Sequence, residues 1–237
     1  GHAVSDDHVN WEHCGIARYP TKWDDRNGCF SGSAIEHDGK MYVFYTGVRY
    51  LEVNPENIHK PFNEQFEPTQ MMIISEDGFR FDNWNAKRTI IPAIENIAVG
   101  DRIHTRDPKV WRGKNGWYLV LGSSLNGQRG QALLYRSDDL MHWEYAGKAM
   151  NDALPGWGWE CPDYFECNDT GIMLFSAMGF EEMDGKPQNH SLCCTASFDE
   201  DCCRMLLSDQ YQLVDYGKDL YAPQTTTDAQ GRRVMVA

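Results

Sequence analysis

Two carboxylates in different surroundings are the residues of this sequence best suited to catalysis. Glu160 lies in the stretch "WECPDYF", where we expect Trp159 and its neighbours to shield it from water, whereas Asp107 directly follows Arg106 in "TRDPKVW". Apolar surroundings favour the protonated form of a carboxyl group, and a neighbouring guanidinium favours the ionised form. Glycosidases need one carboxylic acid to protonate the leaving oxygen and a second, ionised carboxylate near the anomeric carbon. The pair therefore predicts acid/base chemistry on a sugar, with Glu160 as the acid and Asp107 held ionised by Arg106.

Both carboxylates also have a purely structural interpretation. Arg106 and Asp107 could form a salt bridge within a turn, in which Pro108 fixes the backbone. Glu160 could be a charge on an edge strand, although aromatic residues surround it. The 8 Trp and 11 Tyr of the chain supply flat faces on which sugar rings stack, which favours the catalytic interpretation.

Composition restricts the possible partners. The chain has 237 residues, 41% of them hydrophobic, which is enough to bury a sizeable core. Its formal net charge of −13 repels nucleic-acid phosphates and anionic bilayers, so we expect neither as a partner. No apolar run is long enough to span a membrane and the sequence starts with no secretory pattern, so we expect a cytoplasmic protein. The sequence does not predict an oligomeric state.

The eight cysteines predict free thiols rather than a metal site or a disulfide framework. The densest cluster holds two adjacent pairs, Cys193 with Cys194 and Cys202 with Cys203. Zinc ligands are normally separated by two to four residues, and adjacent cysteines are awkward partners for disulfides, so we expect no metal and no cofactor. The remaining four are expected to act as small hydrophobic residues: Cys14, Cys29, Cys161 and Cys167.

A short sequence motif with a serine, two acidic residues and a later tryptophan recurs along the chain. The copies are "AVSDDHVNWEH" (3–13), "IISEDGFRFDNW" (73–84) and "LYRSDDLMHWEY" (134–145). Serine and aspartate side chains can bond the backbone of a hairpin turn, while the tryptophan covers the outer face. We interpret the repeat as scaffold and assign no chemistry to it.

Between these copies lie short runs that predict β-strands. They are rich in β-branched and aromatic residues, and Gly, Asp and Asn bound them. No long helical periodicity is present, so the fold class is all-β. Repeats of strands alone suit either a β-propeller or a β-sandwich. The predicted strands are 39–47, 116–124, 171–179 and 232–237.

Three stretches stand outside the repeat, and together they resemble a known family. They are "FSGSA" (30–34), "RDPKVW" (106–111) and "ECPDYF" (160–165), and their order and spacing are similar to those of glycoside hydrolase family 32. The resemblance implies a five-bladed β-propeller and hydrolysis, with retention, of terminal β-fructofuranosides such as sucrose, sucrose 6-phosphate or fructans. It implies that residues 1–237 form one glycosidase propeller domain, with incomplete first and last blades and truncated at both ends.

The resemblance also implies a role for individual residues. Glu160 matches the general acid/base of the family, and Asp107 matches the aspartate that stabilises the transition state through the fructose hydroxyls. Five further residues are implied to bind substrate, the last two as weaker candidates for the wall of the central funnel: Phe30, Ser31, Arg106, Asp215 and Tyr221.

One element of the family pattern is missing from these residues. The family nucleophile is the aspartate of a "WMNDPNG"-like motif, and the nearest stretch here, "KWDDRNG" (22–28), occupies a different place in the pattern. We therefore expect an internal fragment of a longer enzyme. Two alternatives stay open at this point: a non-catalytic sugar-binding propeller and a related propeller hydrolase that cleaves arabinan or xylan.

Overall fold

The structure is a computed structural model of the chain. It describes residues 1–183, 186–217 and 219–237, and it describes the side chains of all of these except those in 181–187.

Short β-strands make up almost all of the regular structure, with one single-turn 3-10 helix at Phe62–Glu64. In chain order the strands are β1 (His2–Val4), β2 (Glu12–Gly15), β3 (Gly28–His37), β4 (Lys40–Tyr50), β5 (Phe66–Ser75), β6 (Lys87–Ile91), β7 (Arg106–Arg112), β8 (Trp117–Leu125), β9 (Arg129–Ser137), β10 (Glu144–Ala149), β11 (Gly158–Cys167), β12 (Thr170–Met183), β13 (Lys186–Asp199), β14 (Arg204–Leu213), β15 (Gln224–Thr227) and β16 (Arg233–Val236).

Consecutive strands form antiparallel sheets. Three sheets have four strands each, in the orders β3-β4-β5-β6, β7-β8-β9-β10 and β11-β12-β13-β14. Two further sheets have two strands, β1-β2 and β15-β16. The prediction of an all-β fold with four-stranded antiparallel blades is confirmed. The four strands predicted from the sequence are also present, as β4, β8, β12 and β16.

The recurring serine and aspartate bond turns that connect consecutive strands, as predicted. In the second copy, Ser75 Oγ accepts from the Gly78 amide at 3.0 Å, and Asp77 Oδ1 accepts from two further turn amides. Ser5 with Asp7 and Ser137 with Asp139 repeat this pattern. These residues therefore belong to the scaffold.

Large side chains fill the spaces between neighbouring sheets. Trp159 is fully buried, its ring centroid is 4.3 Å from that of Phe175, and its Nε1–H donates to the Pro155 carbonyl at 3.0 Å. A β-carbon on Gly130 would come within 2.1 Å of this indole, so glycine at 130 makes room for it. Tight packing of this kind fixes how one sheet lies on the next.

The first strands of the sheets are tied together by buried polar groups. Ser33 on β3 donates to the Pro108 carbonyl of β7 at 2.8 Å. Lys109 Nζ, also on β7, lies 3.0 Å from Asp163 Oδ1 on β11. The other oxygen of Asp163 accepts from the amide of Thr225 on β15 at 2.6 Å. These bonds join the first strands of four sheets (the inner strands β3, β7, β11 and β15), and the first three of them begin with the motifs selected from the sequence.

Among the described residues, no helix is long and apolar enough to cross a membrane.

Candidate active site

A bulge interrupts the start of each inner strand at the point where a motif lies. The pairing with the second strand shifts between Cys29 and Gly32, between Arg106 and Lys109, and between Glu160 and Asp163. A bulge re-aims side chains and is common beside active sites. The three motifs "FSGS", "RDP" and "ECP" therefore reach the same end of the inner strands.

Positive backbone φ angles accompany two of these bulges. Asp107 has φ 65° and Cys161 has φ 46°, a region that residues other than glycine rarely adopt. Such strain persists only where the surrounding structure fixes it, and it is concentrated at functional sites. Here the hydrogen bonds between the two residues hold both bulges in place.

Glu160 is held by two donors that contact different oxygens. Arg106 donates to Oε1 from Nη2 at 2.8 Å and from Nε at 3.1 Å. The Tyr221 hydroxyl donates to Oε2 at 2.6 Å. Burial and the nearby Glu160 carboxylate raise the pKa of Tyr221, so this hydroxyl keeps its proton and remains a donor. Tyr221 thus contacts Glu160 directly, although the sequence analysis gave it only as a weaker candidate.

The partner of Arg106 differs from the one predicted. Its guanidinium pairs with Glu160 rather than with Asp107, the residue next to it. Asp107 is buried, and burial raises the pKa of its carboxyl, with Arg106 acting in the opposite direction. The prediction that Arg106 lowers the pKa of Asp107 below its ordinary value is wrong, because the effect of burial outweighs that of the Arg106 charge.

Asp107 is fixed by the neighbouring sheets. Its Oδ2 accepts from the Cys161 amide at 2.9 Å and lies 3.5 Å from the Cys161 thiol. Its own amide donates to Thr46 Oγ1 at 2.9 Å. Asp107 therefore joins the first and third four-stranded sheets, and its position depends on all three.

Cys161 has more than the small-hydrophobe role expected for it. Besides its contact with Asp107, the thiol lies near Ser31, whose side chain lowers the pKa of the thiol, but burial outweighs this effect and raises that pKa. It links "FSGS" to the two carboxylates. The same expectation is wrong for Cys14 and Cys167, which are exposed. In the sequence, the only indication that Cys161 belongs to the site was its position next to Glu160.

Trp159 does not shield Glu160, although the sequence suggested that it would. Its ring lies in the core between two sheets, against Phe175. Successive side chains on a strand point to opposite faces, so Glu160 points away from that core. The immediate surroundings of the carboxyl are instead Arg106 and Tyr221.

The remaining predicted substrate residues lie in different places. Phe30 is 41% exposed, with its ring centroid 6.1 Å from that of Phe66, as expected of a side chain at the rim of a site. Asp215 lies in the loop that leads to Tyr221, and its carboxylate accepts from the Gly217 amide of the same loop at 2.6 Å. The contact found for Asp215 is thus internal to its loop.

A family comparison agrees with this geometry. The model of the "Glycosyl hydrolases family 32 N-terminal domain" matches residues 1–237, the whole chain. The chain belongs to glycosyl hydrolase family 32.

Named relatives and solved structures lie in the same family. The chain is 34% identical over its whole length to a sucrose-6-phosphate hydrolase of Bacillus subtilis and 32% identical to a raffinose invertase of Escherichia coli, and it covers 47% of each. The Bombyx mori GH32 beta-fructofuranosidase BmSUC1 is 30% identical, with a TM-score of 0.77 over 99% of this chain and 47% of that one. The chain thus spans about half the length of the curated relatives it matches.

The stretch nearest to the family's nucleophile motif has a structural role in this family 32 domain. Asp25 of "KWDDRNG" is fully buried, pairs with Lys87 and accepts from the Tyr45 hydroxyl at 2.8 Å. Burial raises the pKa of this carboxyl, but the hydrogen bonds from Lys87 and two amides outweigh that effect and lower it. With its oxygens committed in this way, Asp25 is unsuited to attack a sugar.

The structure adds two residues beside Glu160 that the sequence analysis did not select. His104 Nδ1 lies 3.5 Å from Arg106 Nη1, and its ring lies edge-on to Trp157 with centroids 4.9 Å apart. Burial and the Arg106 charge lower the pKa of His104, so the neutral ring is favoured next to the guanidinium. The signal available was position: His104 lies two residues before Arg106, in the bend that leads into β7.

Proposed function

We propose that the protein hydrolyses terminal β-D-fructofuranosides with retention, with Glu160 as general acid/base and Asp107 as the stabiliser of the transition state. The observation that carries the proposal is the convergence of Arg106 and Tyr221 on Glu160, one bulge away from the buried Asp107. Family membership and the relatives named as sucrose-6-phosphate hydrolases support this substrate class. A sugar-binding module would have no need of a proton donor held in this way.

The two oxygens of Glu160 have different tasks in this proposal. Oε1 accepts two N–H groups of Arg106, which can only donate, so a proton on Oε1 would lose those bonds. Oε2 contacts the Tyr221 hydroxyl, which can donate or accept. Oε2 is therefore the oxygen that carries the proton to the glycosidic oxygen. In the second half of the reaction, Oε2 takes a proton from the attacking water.

Asp107 acts on the fructose ring rather than on the leaving group. In the proposal its carboxylate accepts hydrogen bonds from ring hydroxyls, and these bonds strengthen as positive charge develops in an oxocarbenium-like transition state. The bonds from Cys161 and Thr46 fix the residue beforehand, so little reorganisation is needed during reaction. Phe30 and Ser31 would line the ring's other side.

Retention requires a nucleophile on the opposite face of the ring. The family resemblance assigns this role to an aspartate of a motif that is not found within the 237 residues. Asp25 does not replace it, because its carboxylate is buried in an ion pair with Lys87. Formation of the covalent intermediate therefore requires a further carboxylate, besides Glu160, Asp107 and Asp25.

To test the proposal, the full-length protein is incubated with sucrose, sucrose 6-phosphate and inulin, and the release of fructose is measured. Proton NMR early in the reaction should show the β-anomer of fructose first, before mutarotation. Initial release of the α-anomer would exclude retention, and absence of fructose release from all three substrates would exclude the proposed activity. The ratio of rates would also identify the preferred leaving group.

We also propose that the protein works in the cytoplasm on a small carbohydrate. All eight cysteines are free, and a protein with this many free thiols suits a reducing compartment. Cell fractionation with detection of the protein tests this, and recovery with the secreted material would contradict it.

A further inference from the structure

A cavity of about 210 Å³ lies between the loop that follows β4 and the loop that precedes β7. Leu51 and Phe66 form one wall, at the two ends of the loop between β4 and β5. The opposite wall comes from the loop before β7 and the turn between β8 and β9: Ile97, Asp101, Arg102 and Asn126. Its volume equals that of about seven water molecules in the liquid, which is enough for one sugar ring.

Two contacts connect this cavity to the candidate active site. Ile103, which also lines the cavity, accepts a hydrogen bond at its carbonyl from Arg106 Nη1 at 3.3 Å. The Phe66 ring contacts that of Phe30, which is expected to border the substrate. The cavity therefore lies beside the wall formed by Arg106 and Phe30, within reach of a substrate that extends beyond the fructose ring.

The walls combine apolar surface with hydrogen-bonding groups. Ile97 and Leu51, which are 70% and 48% exposed, place apolar surface in the lining. Arg102 and Asn126 add hydrogen-bond donors to the same lining. A few directed polar groups on an otherwise apolar lining are typical of small-molecule sites, and a sugar ring matches them with its C–H face and its hydroxyls.

The charges favour a neutral ligand over an anionic one. Arg102 and Arg49 both pair with the carboxylate of Glu67, so one carboxylate compensates part of their charge and fixes both guanidinium groups. Asp101, which lines the cavity, adds a second negative charge beside Arg102. Arg102 contacts Glu67 through Nη2, and a guanidinium has five N–H groups, so donors remain for hydroxyl groups.

We propose that this cavity binds a neutral sugar unit of the leaving group, and that Arg102 and Ile97 determine which fructosides are cleaved fastest. The inference rests on the proposed function, because it takes the leaving group to be the part that Glu160 protonates. The fructose ring itself would stay with Asp107 and Phe30.

The experiment compares Arg102→Gln and Ile97→Ala with the wild type in the full-length protein. We expect kcat/KM on sucrose to fall about tenfold in Arg102→Gln, the effect of losing one hydrogen bond from a charged donor. On methyl β-D-fructofuranoside, whose leaving group is too small to fill the cavity, kcat/KM should stay within twofold of wild type. Ile97→Ala should show the same substrate dependence with a smaller loss.

Matched controls separate a local effect from a general one. Arg129→Gln removes another exposed arginine that pairs with a carboxylate, that of Asp152, outside the cavity. Ile58→Ala removes another exposed isoleucine, 66% accessible, in the loop between β4 and β5. Both controls should leave the two rates unchanged.

Each other outcome contradicts the inference. Equal losses on sucrose and the methyl fructoside, or no loss on either, would show that the cavity does not bind the leaving group. A loss in Arg102→Gln that is at least tenfold larger on sucrose 6-phosphate than on sucrose would assign the cavity to a phosphate. If the wild type releases fructose from none of sucrose, sucrose 6-phosphate, inulin and the methyl fructoside, the proposed function itself fails; release from sucrose 6-phosphate alone would contradict only the neutral ligand.

Discussion

Replacing Glu160 with glutamine tests the acid role with little change in shape. The amide can keep every contact of the carboxylate, because its oxygen accepts from Arg106 and its NH₂ group donates to the Tyr221 oxygen. What disappears is the proton that Oε2 transfers, together with the charge of the bonds to Arg106. The variant should therefore fold, and its defect should be chemical.

The size of the defect follows from the reaction. General acid catalysis contributes about 10²- to 10⁴-fold, equivalent to about 3–5 kcal/mol of transition-state stabilisation. Exchanging charged for neutral hydrogen bonds to Arg106 should lower the free energy of unfolding by only about 1–3 kcal/mol. We expect Glu160→Gln to lose at least two orders of magnitude in kcat on sucrose while the binding of sucrose is nearly unchanged.

The assay compares sucrose with an aryl β-fructofuranoside whose phenolate leaves without a proton. The rate of Glu160→Gln should recover on the aryl substrate, and added azide should raise it further, since azide attacks the covalent intermediate without a base. Equal losses on the two substrates, with no response to azide, would refute the acid/base role. Glu160 would then be a residue that binds sugar or supports the fold.

Three further predictions follow from the same geometry. Asp107→Asn should lose activity equally on sucrose and the aryl fructoside. Because burial raises the pKa of Asp107, the stability that its protonated form contributes is present at low pH and is lost as pH rises. The unfolding temperature of Asp107→Asn should therefore be higher than that of the wild type at pH 7 and equal to it near pH 3. A lower unfolding temperature of the variant at pH 7 would contradict this. Lys109→Met should lower the free energy of unfolding by about 3–5 kcal/mol in urea titrations, because it leaves the Asp163 charge buried. Lys40→Met, at an exposed ion pair, should change the free energy of unfolding much less, and similar changes for the two variants would show that the bonds between inner strands contribute little. A thiol reagent should rapidly modify the three exposed cysteines of the folded protein, Cys14, Cys167 and Cys202. Equally rapid reaction of the buried cysteines would refute the packing.

Several features were predictable from sequence because they depend on local chemistry. The serine and aspartate of the repeated motif accept hydrogen bonds from amides only two or three residues away, as in the turns at Ser75 and Ser137. Such a turn can therefore be predicted from the motif alone. The apolar runs that became β4, β8 and β12 alternate with turn residues and need no distant partner to be recognised. The order of the three motifs identified the family and with it the pair of carboxylates.

Contacts between distant residues were not predictable in this way. Sequence adjacency suggested that Arg106 pairs with Asp107 and that Trp159 covers Glu160, and both suggestions were wrong. On a strand, neighbouring side chains point to opposite faces, so the residue next in sequence is seldom the partner in space.

The sequence by itself determined an all-β chain of repeated strands and turns, and it selected Glu160 and Asp107. The tertiary structure decided how these two residues are held. Tyr221 reaches Glu160 from 61 positions away, and Cys161 reaches Asp107 from 54, through bulges whose geometry depends on neighbouring sheets. Such contacts arise because packing brings the inner strands together, and no local pattern encodes which distant side chain will meet a given carboxylate.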